Sequence, residues 1–379
     1  MSTNSVQTKE GALILDSHKL SYHIDRIKAW EAGERIAPVS VDMALTRSCG
    51  AMCSFCYAMM QEPQERSSIK TEHSLQLLDD FAEIGVKGVS LISDGESTLS
   101  KAYVPFIQHA HKLGIDIGNA TNAWEWEPDK IEQVLPYMSW VRFTVAAGRP
   151  ESYSKIMFKG PEHTHVFDRA MKHIKYAVDL KKKNNLKVTL GIQMVLMPEF
   201  KDEILDFAKL AVDLGVDYGV IKHCSDDEYG TLGVDYTKYD DMHELLKQAE
   251  LLSNDDTKII VKWEKIKESK ATYNRFYGPA FLLQISGSGL VAPSGMFFNA
   301  RYSKFHIGNF TEKRFIDIWK SDAYWDVMNY LASPKFDAQT MMGTLPIQHY
   351  VSVALDNHIK GIQKIEKAQG ADPLHVNFL

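Results

Sequence analysis

Cys49, Cys53 and Cys56 sit within eight positions of one another, in the run Cys-Gly-Ala-Met-Cys-Ser-Phe-Cys. Three thiolates at this spacing can hold three irons of a cubane iron–sulfur cluster, and no more. A [4Fe–4S] cluster ordinarily takes four cysteines, so the run leaves one iron open to a ligand that is not protein. Structural zinc suits the run less well. It takes four Cys or His ligands, commonly as two C-x2–4-C pairs, and the remaining cysteine is Cys224, with no His at close metal spacing. Disulfides among residues this close have awkward geometry. Three ordinary buried thiols would not need this spacing. Four cysteines with no secretory segment suit a reducing, cytosolic compartment.

A loop of this kind needs a rigid frame, and the pattern of apolar residues supplies one. Leu20, Ile24, Ile27 and Trp30 recur at helical spacing up to Gly33. Pro38 opens a strand at 39–45 that runs straight into the cysteines. Helices at 74–84, 104–113, 129–135, 164–182, 201–214 and 238–252 then alternate with strands at 88–92, 116–120, 140–145, 187–196 and 218–222. Such alternation predicts an α/β fold with a parallel sheet and helical crossovers. In barrels of this kind chemistry gathers where strands end. The first ten residues read as disordered. From about residue 258 the pattern changes to short strands and loops.

Composition excludes several classes. The chain has 379 residues and a net charge of −6, with Lys181–Lys182–Lys183 its longest basic run, so a nucleic-acid groove is not indicated. No stretch reaches the apolar length of a membrane span.

The CxxxCxxC run, with Phe55 just before its last cysteine, resembles the signature of the radical S-adenosylmethionine (radical SAM) superfamily. The resemblance implies a partial (β/α)6 TIM-like barrel, one [4Fe–4S] cluster on Cys49, Cys53 and Cys56, and S-adenosylmethionine (SAM) chelated to the open iron. It also implies a 5′-deoxyadenosyl radical that takes a hydrogen atom from substrate, and a one-electron donor such as a flavodoxin or ferredoxin. Phe55 then lies near the adenine. The family commonly carries Gly-Gly-Glu-Pro after the second strand. Here the positions are Asp94, Gly95, Glu96 and Ser97. Gly95 keeps the backbone freedom of the turn, and Glu96 matches the residue that binds the methionine amino group. Thr121-Asn122-Ala123 is similar to the family's Thr-Asn-Gly, placing Asn122 toward SAM or substrate, with an ordinary Asx turn as the alternative. Thr144 matches a hydroxyl that contacts the SAM carboxylate or ribose. Arg142 shares its strand face, which opens either to the cavity or to solvent. Gln193, an amide within an apolar strand, wants a buried partner, either the ribose or backbone.

Cys224 follows the sixth strand, in Lys222-His223-Cys224-Ser225-Asp226-Asp227. Its expected place is the carboxyl end of a barrel strand, facing the cavity. Several radical SAM epimerases use a lone cysteine to return a hydrogen atom to the substrate radical, because S–H bonds are weaker than most C–H bonds. The alternative is a small buried hydrophobe. Lys222, His223, Asp226 and Asp227 would add charge for a polar substrate or form surface ion pairs.

The segment from Gly287 to Trp319 resembles the SPASM extension of radical SAM enzymes, through Pro293-Ser294-Gly295, Ile307-Gly308-Asn309 and Ile318-Trp319. Ala292 stands where a cluster cysteine would be, and no cysteine follows Cys224. An auxiliary cluster cannot be built there, which makes a redox-neutral outcome easier. The expected divisions are an N-terminal tail and helix at 1–37, a radical SAM core at 38–255, and a smaller α+β, SPASM-like region at 256–379. The expected function is redox-neutral epimerisation with Cys224 as hydrogen donor. A dehydrogenase, mutase or lyase with structural Cys224 is the first alternative, and a non-catalytic binding partner the second. A small-molecule substrate is favoured over a peptide, because a barrel starting near Pro38 leaves no room for a winged-helix peptide-binding domain before it.

Overall fold

The computed structural model describes residues 5–56, 58, 67–267, 270–342 and 346–379. Among these residues twelve strands form two sheets. β1 (Ser5–Gln7) and β2 (Ala12–Ile14) make an antiparallel hairpin. The expectation of disorder over the first ten residues therefore fails from Ser5 onward. The hairpin is held because fully buried Leu13 bridges Leu374 and packs with Tyr218 and Val220 of the main sheet.

The main sheet contains β3 (Ser40–Met43), β4 (Gly88–Leu91), β5 (Asp116–Thr121), β6 (Trp140–Thr144), β7 (Thr189–Leu196) and β8 (Tyr218–His223). β9 (Lys258–Val261) extends it beside β8, and β10 (Leu282–Ile285) extends it beside β3. These eight run parallel in the order β10-β3-β4-β5-β6-β7-β8-β9. β11 (Leu290–Ala292) and β12 (Gly308–Asn309) continue antiparallel from β10. Parallel strands covered on both faces read as continuous apolar runs, and every residue of β7 is buried.

Each crossover helix buries one stripe. The longest, Thr164–Asn184, buries Val166, Phe167, Ala170, His173, Ile174, Ala177 and Val178, and stops at Asn185 in the left-handed conformation. The helix Thr71–Ile84 buries Leu77, Leu78 and Phe81 and ends at Gly85 with φ +91°. The six expected strands thus form at their expected places.

From residue 258 onward the strands are short, as expected, with two to four residues each. β9 and β10 join the parallel sheet, and helices follow at Phe315–Lys320, Asp322–Leu331, Ala338–Met341 and His349–Ile359. An aromatic cluster of Tyr273, Phe276, Phe297, Phe298, Phe305 and Phe336 forms a second core there, and Ala292 is buried within it. Among the described residues no helix is long and apolar enough to cross a membrane.

Candidate functional site

β3 delivers the chain to the cysteine loop, and three contacts hold the loop. The Met52 and Ser54 N–H groups donate to the carbonyls of Met157 and Ile156, each at 2.9 Å, pinning the loop to the end of the helix Pro150–Phe158. The Glu96 N–H donates to the Ser48 carbonyl at 2.9 Å. Thr46, at the loop entrance, is clamped between two glycines. A Cβ on Gly95 would lie 1.9 Å from the Thr46 carbonyl oxygen, and one on Gly287 would lie 2.3 Å from the Thr46 carbonyl carbon. Only glycine allows either approach.

Asp94, which stands where relatives carry glycine, has a clear place in this clamp. Its carboxylate pairs with Arg47 at 3.2 Å and accepts from the Ser286 hydroxyl at 2.6 Å and the Gly287 N–H at 2.8 Å. It ties the β4 turn to the cysteine loop and to the turn after β10.

Cys49, Cys53 and Cys56 are free thiols that line one cavity of about 350 Å³. Phe55, Gly95, Glu96, Asn122, Thr144 and Gln193 line the same cavity. Among the described residues no three His, Cys, Asp or Glu side chains converge to hold a single metal ion. Three thiols that share a cavity without converging suit a cluster, in which each thiolate takes a different iron. The residues present therefore fit a [4Fe–4S] group and do not fit mononuclear zinc. Burial pushes the Cys49 thiol up to about 12 and Cys53 well above its ordinary value. Iron charge would oppose that shift.

Glu96 is buried, and its two oxygens accept from the Thr98 hydroxyl at 2.7 Å and the Asn122 N–H at 2.8 Å. Burial raises its carboxyl to about 7 in spite of these bonds. Asn122 donates its side-chain amide to Glu125, whose other near contact is the Gly50 N–H inside the cysteine run at 3.3 Å. Glu125 is a residue that sequence reasoning missed; its position three after Asn122 was the available signal. Thr144 and Gln193 are register partners on β6 and β7. The Gln193 side-chain oxygen is buried with no hydrogen-bond partner, which suits a group waiting for a ligand donor.

Cys224 is placed differently from the expectation. It is fully buried and is not among the residues that line the cavity. It packs with Val195, Met197 and Phe55 in a small apolar cluster, just past the end of β8. Phe55 and Val195 of that cluster line the cavity, and the Cys224 Sγ lies 4.0 Å from the Phe55 carbonyl. Burial pushes the thiol up to about 12. Its neighbours also separate. Lys222 lines the cavity, whereas His223 is buried toward Tyr236 and Tyr239. Asp226 and Asp227 organise the following loop. Asp226 accepts from the N–H groups of Asp227 and Leu232, and Asp227 from those of Tyr229 and Thr231 and from Arg301.

Arg142 opens to the cavity. Lys19, Lys262, Lys265 and Asp42 line it too, and sequence reasoning missed all four. For Lys262 the signal was its place directly after β9, a strand end like the others.

Comparison with known proteins agrees with this frame. The family model described as "Radical SAM superfamily" matches residues 43–211. The sporulation killing factor maturation protein SkfB of Bacillus subtilis is 23% identical over 180 residues, 47% of this chain and 40% of SkfB. The PqqA peptide cyclase of Bradyrhizobium diazoefficiens is 22% identical over 183 residues, 48% of this chain and 45% of the cyclase. The chain thus spans less than half the length of these curated relatives. The crystal structure of Streptococcus suis SuiB bound to S-adenosylmethionine shares the fold with a TM-score of 0.61 at 16% identity, covering 80% of this chain and 71% of SuiB. Radical SAM family members use a [4Fe–4S] cluster and SAM, and the cysteine loop, the β4 turn and the six strands that frame them all fall within or beside the matched segment. Residues 43–211, a little less than half of the chain, thus match the radical SAM superfamily.

Proposed function

We propose that this protein is a hydrogen-abstracting radical SAM enzyme whose reaction chamber is the 350 Å³ cavity inside the parallel sheet. One observation carries the reading: the three thiols open onto the same cavity as Phe55, Gly95, Glu96, Asn122, Thr144 and Gln193. When bound, the cluster and SAM would supply a 5′-deoxyadenosyl radical that removes a hydrogen atom from substrate. The chain's residues hold and orient. Cys49, Cys53 and Cys56 bind iron, and the Glu96 carboxylate and Asn122 line the amino-acid end of SAM. Thr144 and the unpartnered Gln193 oxygen face its ribose, and Phe55 walls the adenine. A flavodoxin- or ferredoxin-like donor supplies the electron.

The finer reading is inversion of a C–H stereocentre, with Cys224 returning the hydrogen atom. Burial supports it by keeping the thiol as S–H, the form that can give a hydrogen atom. The absence of Cys224 from the residues that line the cavity weighs against it. The thiyl left on Cys224 then takes one electron from the external donor and one proton from solvent. A peptide substrate is favoured by the names of the relatives, a maturation protein and a peptide cyclase, and by a SuiB structure bound to its precursor peptide SuiA.

The test is deoxyadenosine release. The protein is reconstituted anaerobically with iron and sulfide, given SAM and a strong reductant, and compared with Cys53→Ala. Cysteine-dependent release supports the reading. A protein that assembles no cluster, or binds SAM with a cluster present and never cleaves it with any substrate, overturns it in favour of a binding partner.

A further inference from the structure

The wall of the cavity built by β8 and β9 carries a concentration of positive charge that the radical chemistry does not use. The Lys262 N–H donates to the Ile221 carbonyl at 2.9 Å, and Ile221 pairs with Val261. Continuing that register by one residue sets Lys262 beside Lys222 on the same face of neighbouring strands. Like charges so placed repel. Lys265 follows three residues later, at the start of the helix Trp263–Lys267. Lys262 and Lys265 converge, since their ammonium groups lie 5.8 and 5.6 Å from the centre of the same Tyr350 ring. Arg142 adds a guanidinium whose Nε is buried without a hydrogen-bond partner.

Lys222, Lys262, Lys265 and Arg142 all line the cavity, as does Lys19. The acidic side chains among the described lining residues are Asp42 and Glu96, and Leu379, the last residue of the sequence, lines the cavity too. Glu96 is already engaged by Thr98 and Asn122. Asp16, which accepts from the Tyr350 hydroxyl, is a further carboxylate whose charge favours protonated Lys262 and Lys265. This excess of cations over carboxylates has a physical cost. Burial and mutual repulsion push Lys222 down to about 8, Lys262 down to about 7 and Lys265 well below the ordinary lysine range. A charged group kept in such surroundings wants an opposite charge.

We propose that Lys222, Lys262, Lys265 and Arg142 form an anion subsite that holds a phosphate group of the substrate. A carboxylate brings one negative charge, while a phosphate monoester brings about −1.5 to −2 at neutral pH with three acceptor oxygens, closer to what Arg142 and lysines that regain their protons beside an anion require. Arg142 supplies the planar fork that suits phosphate, and the lysines supply point charges. The inference rests on the reading of this cavity as the reaction chamber, and makes the substrate a phosphate ester, a phosphorylated peptide where the peptide reading holds, whose reacting C–H bond lies toward the cysteines.

The test is calorimetric titration of the full chain with phenyl phosphate at constant ionic strength, with acetate and succinate as carboxylate probes. Saturable binding of one phenyl phosphate per chain is expected, weakened about tenfold or more in Lys222→Met and in Lys262→Met, as loss of a hydrogen bond to a charged group implies. It should be unchanged in the exposed control Lys112→Met. If a variant fails to fold, a rise in the wild-type unfolding temperature with phenyl phosphate over matched chloride gives the same answer. No binding, equal binding by the lysine variants, or equally tight binding of succinate overturns the assignment. So does abolition of binding by prior addition of SAM, which would give the subsite to SAM. SAM cleavage by the wild type is scored separately. Cleavage without phosphate binding removes this inference alone, and phosphate binding without cleavage removes the radical reading alone.

Discussion

The Asp94 carboxylate meets the Arg47 guanidinium at 3.2 Å in a nearly solvent-free contact, the two side chains being 0% and 10% exposed. The pair joins the turn after β4 to the first residues of the cysteine loop. Breaking a buried pair leaves one charge uncompensated, so Asp94→Ala should cost about 3–5 kcal/mol. Equilibrium unfolding in urea measures the loss. Iron content after reconstitution should fall with it, because the loop loses its anchor.

Cys224→Ala separates the two roles open to that thiol. As hydrogen donor, its removal should abolish uptake of solvent deuterium into product while deoxyadenosine still forms. As a packing residue, its removal should leave the product unchanged and cost stability of about 1 kcal/mol, the scale of a small buried group. Mass spectrometry of product made in deuterium oxide distinguishes them.

Tyr239 should matter to the same strand end for a different reason. Its hydroxyl accepts from the Cys224 N–H at 3.0 Å and donates to the Leu196 carbonyl, bridging the ends of β7 and β8. Tyr239→Phe removes both bonds while the Cys224 N–H keeps its direct bond to the Leu196 carbonyl at 3.2 Å, so it should destabilise by about 0.5–1.5 kcal/mol. Urea unfolding of the iron-free protein is the measurement, with iron uptake expected to persist.

The lysine-rich wall should show in the pH dependence of stability. Lys19 and Lys262 are lowered to about 7 and Lys222 to about 8, from 10.5. Between about pH 7 and 10.5 the unfolded chain therefore holds protons that the folded chain has released, and stability rises with pH across that window. Below pH 7 both states carry the charge and this contribution is flat. Thermal unfolding from pH 7 to 10.5 should rise less steeply in Lys262→Met than in the wild type.

Much of this was legible in the chain, for identifiable reasons. Helices such as Thr164–Asn184 announce themselves because their buried stripe is local. The cysteine spacing and the Gly95-Glu96 turn are short motifs, and both open onto the cavity. What escaped depends on partners distant in sequence. β10 is four residues long and belongs to the sheet only because β3 lies beside it. Lys262 reads as an ordinary surface lysine until β9 docks against β8. Cys224 was expected in the cavity from its place after a strand. It packs instead in an apolar cluster with Phe55 of the cysteine loop.

The clamp on Thr46 also dictates an order of events. Asp94 and its partner Ser286 lie 192 residues apart in the chain. Contacts of such separation form late, because the intervening chain must be ordered first. Until β10 docks and brings Gly287 against Thr46, the cysteine loop lacks one of its walls. A nascent chain therefore passes through a stage in which the thiols exist but their seat does not, when oxidants can reach them. Iron inserted at that stage would meet an unformed site. Maturation of the centre must follow folding of the late strands, and refolding in the presence of iron should recover less cluster than adding iron afterwards.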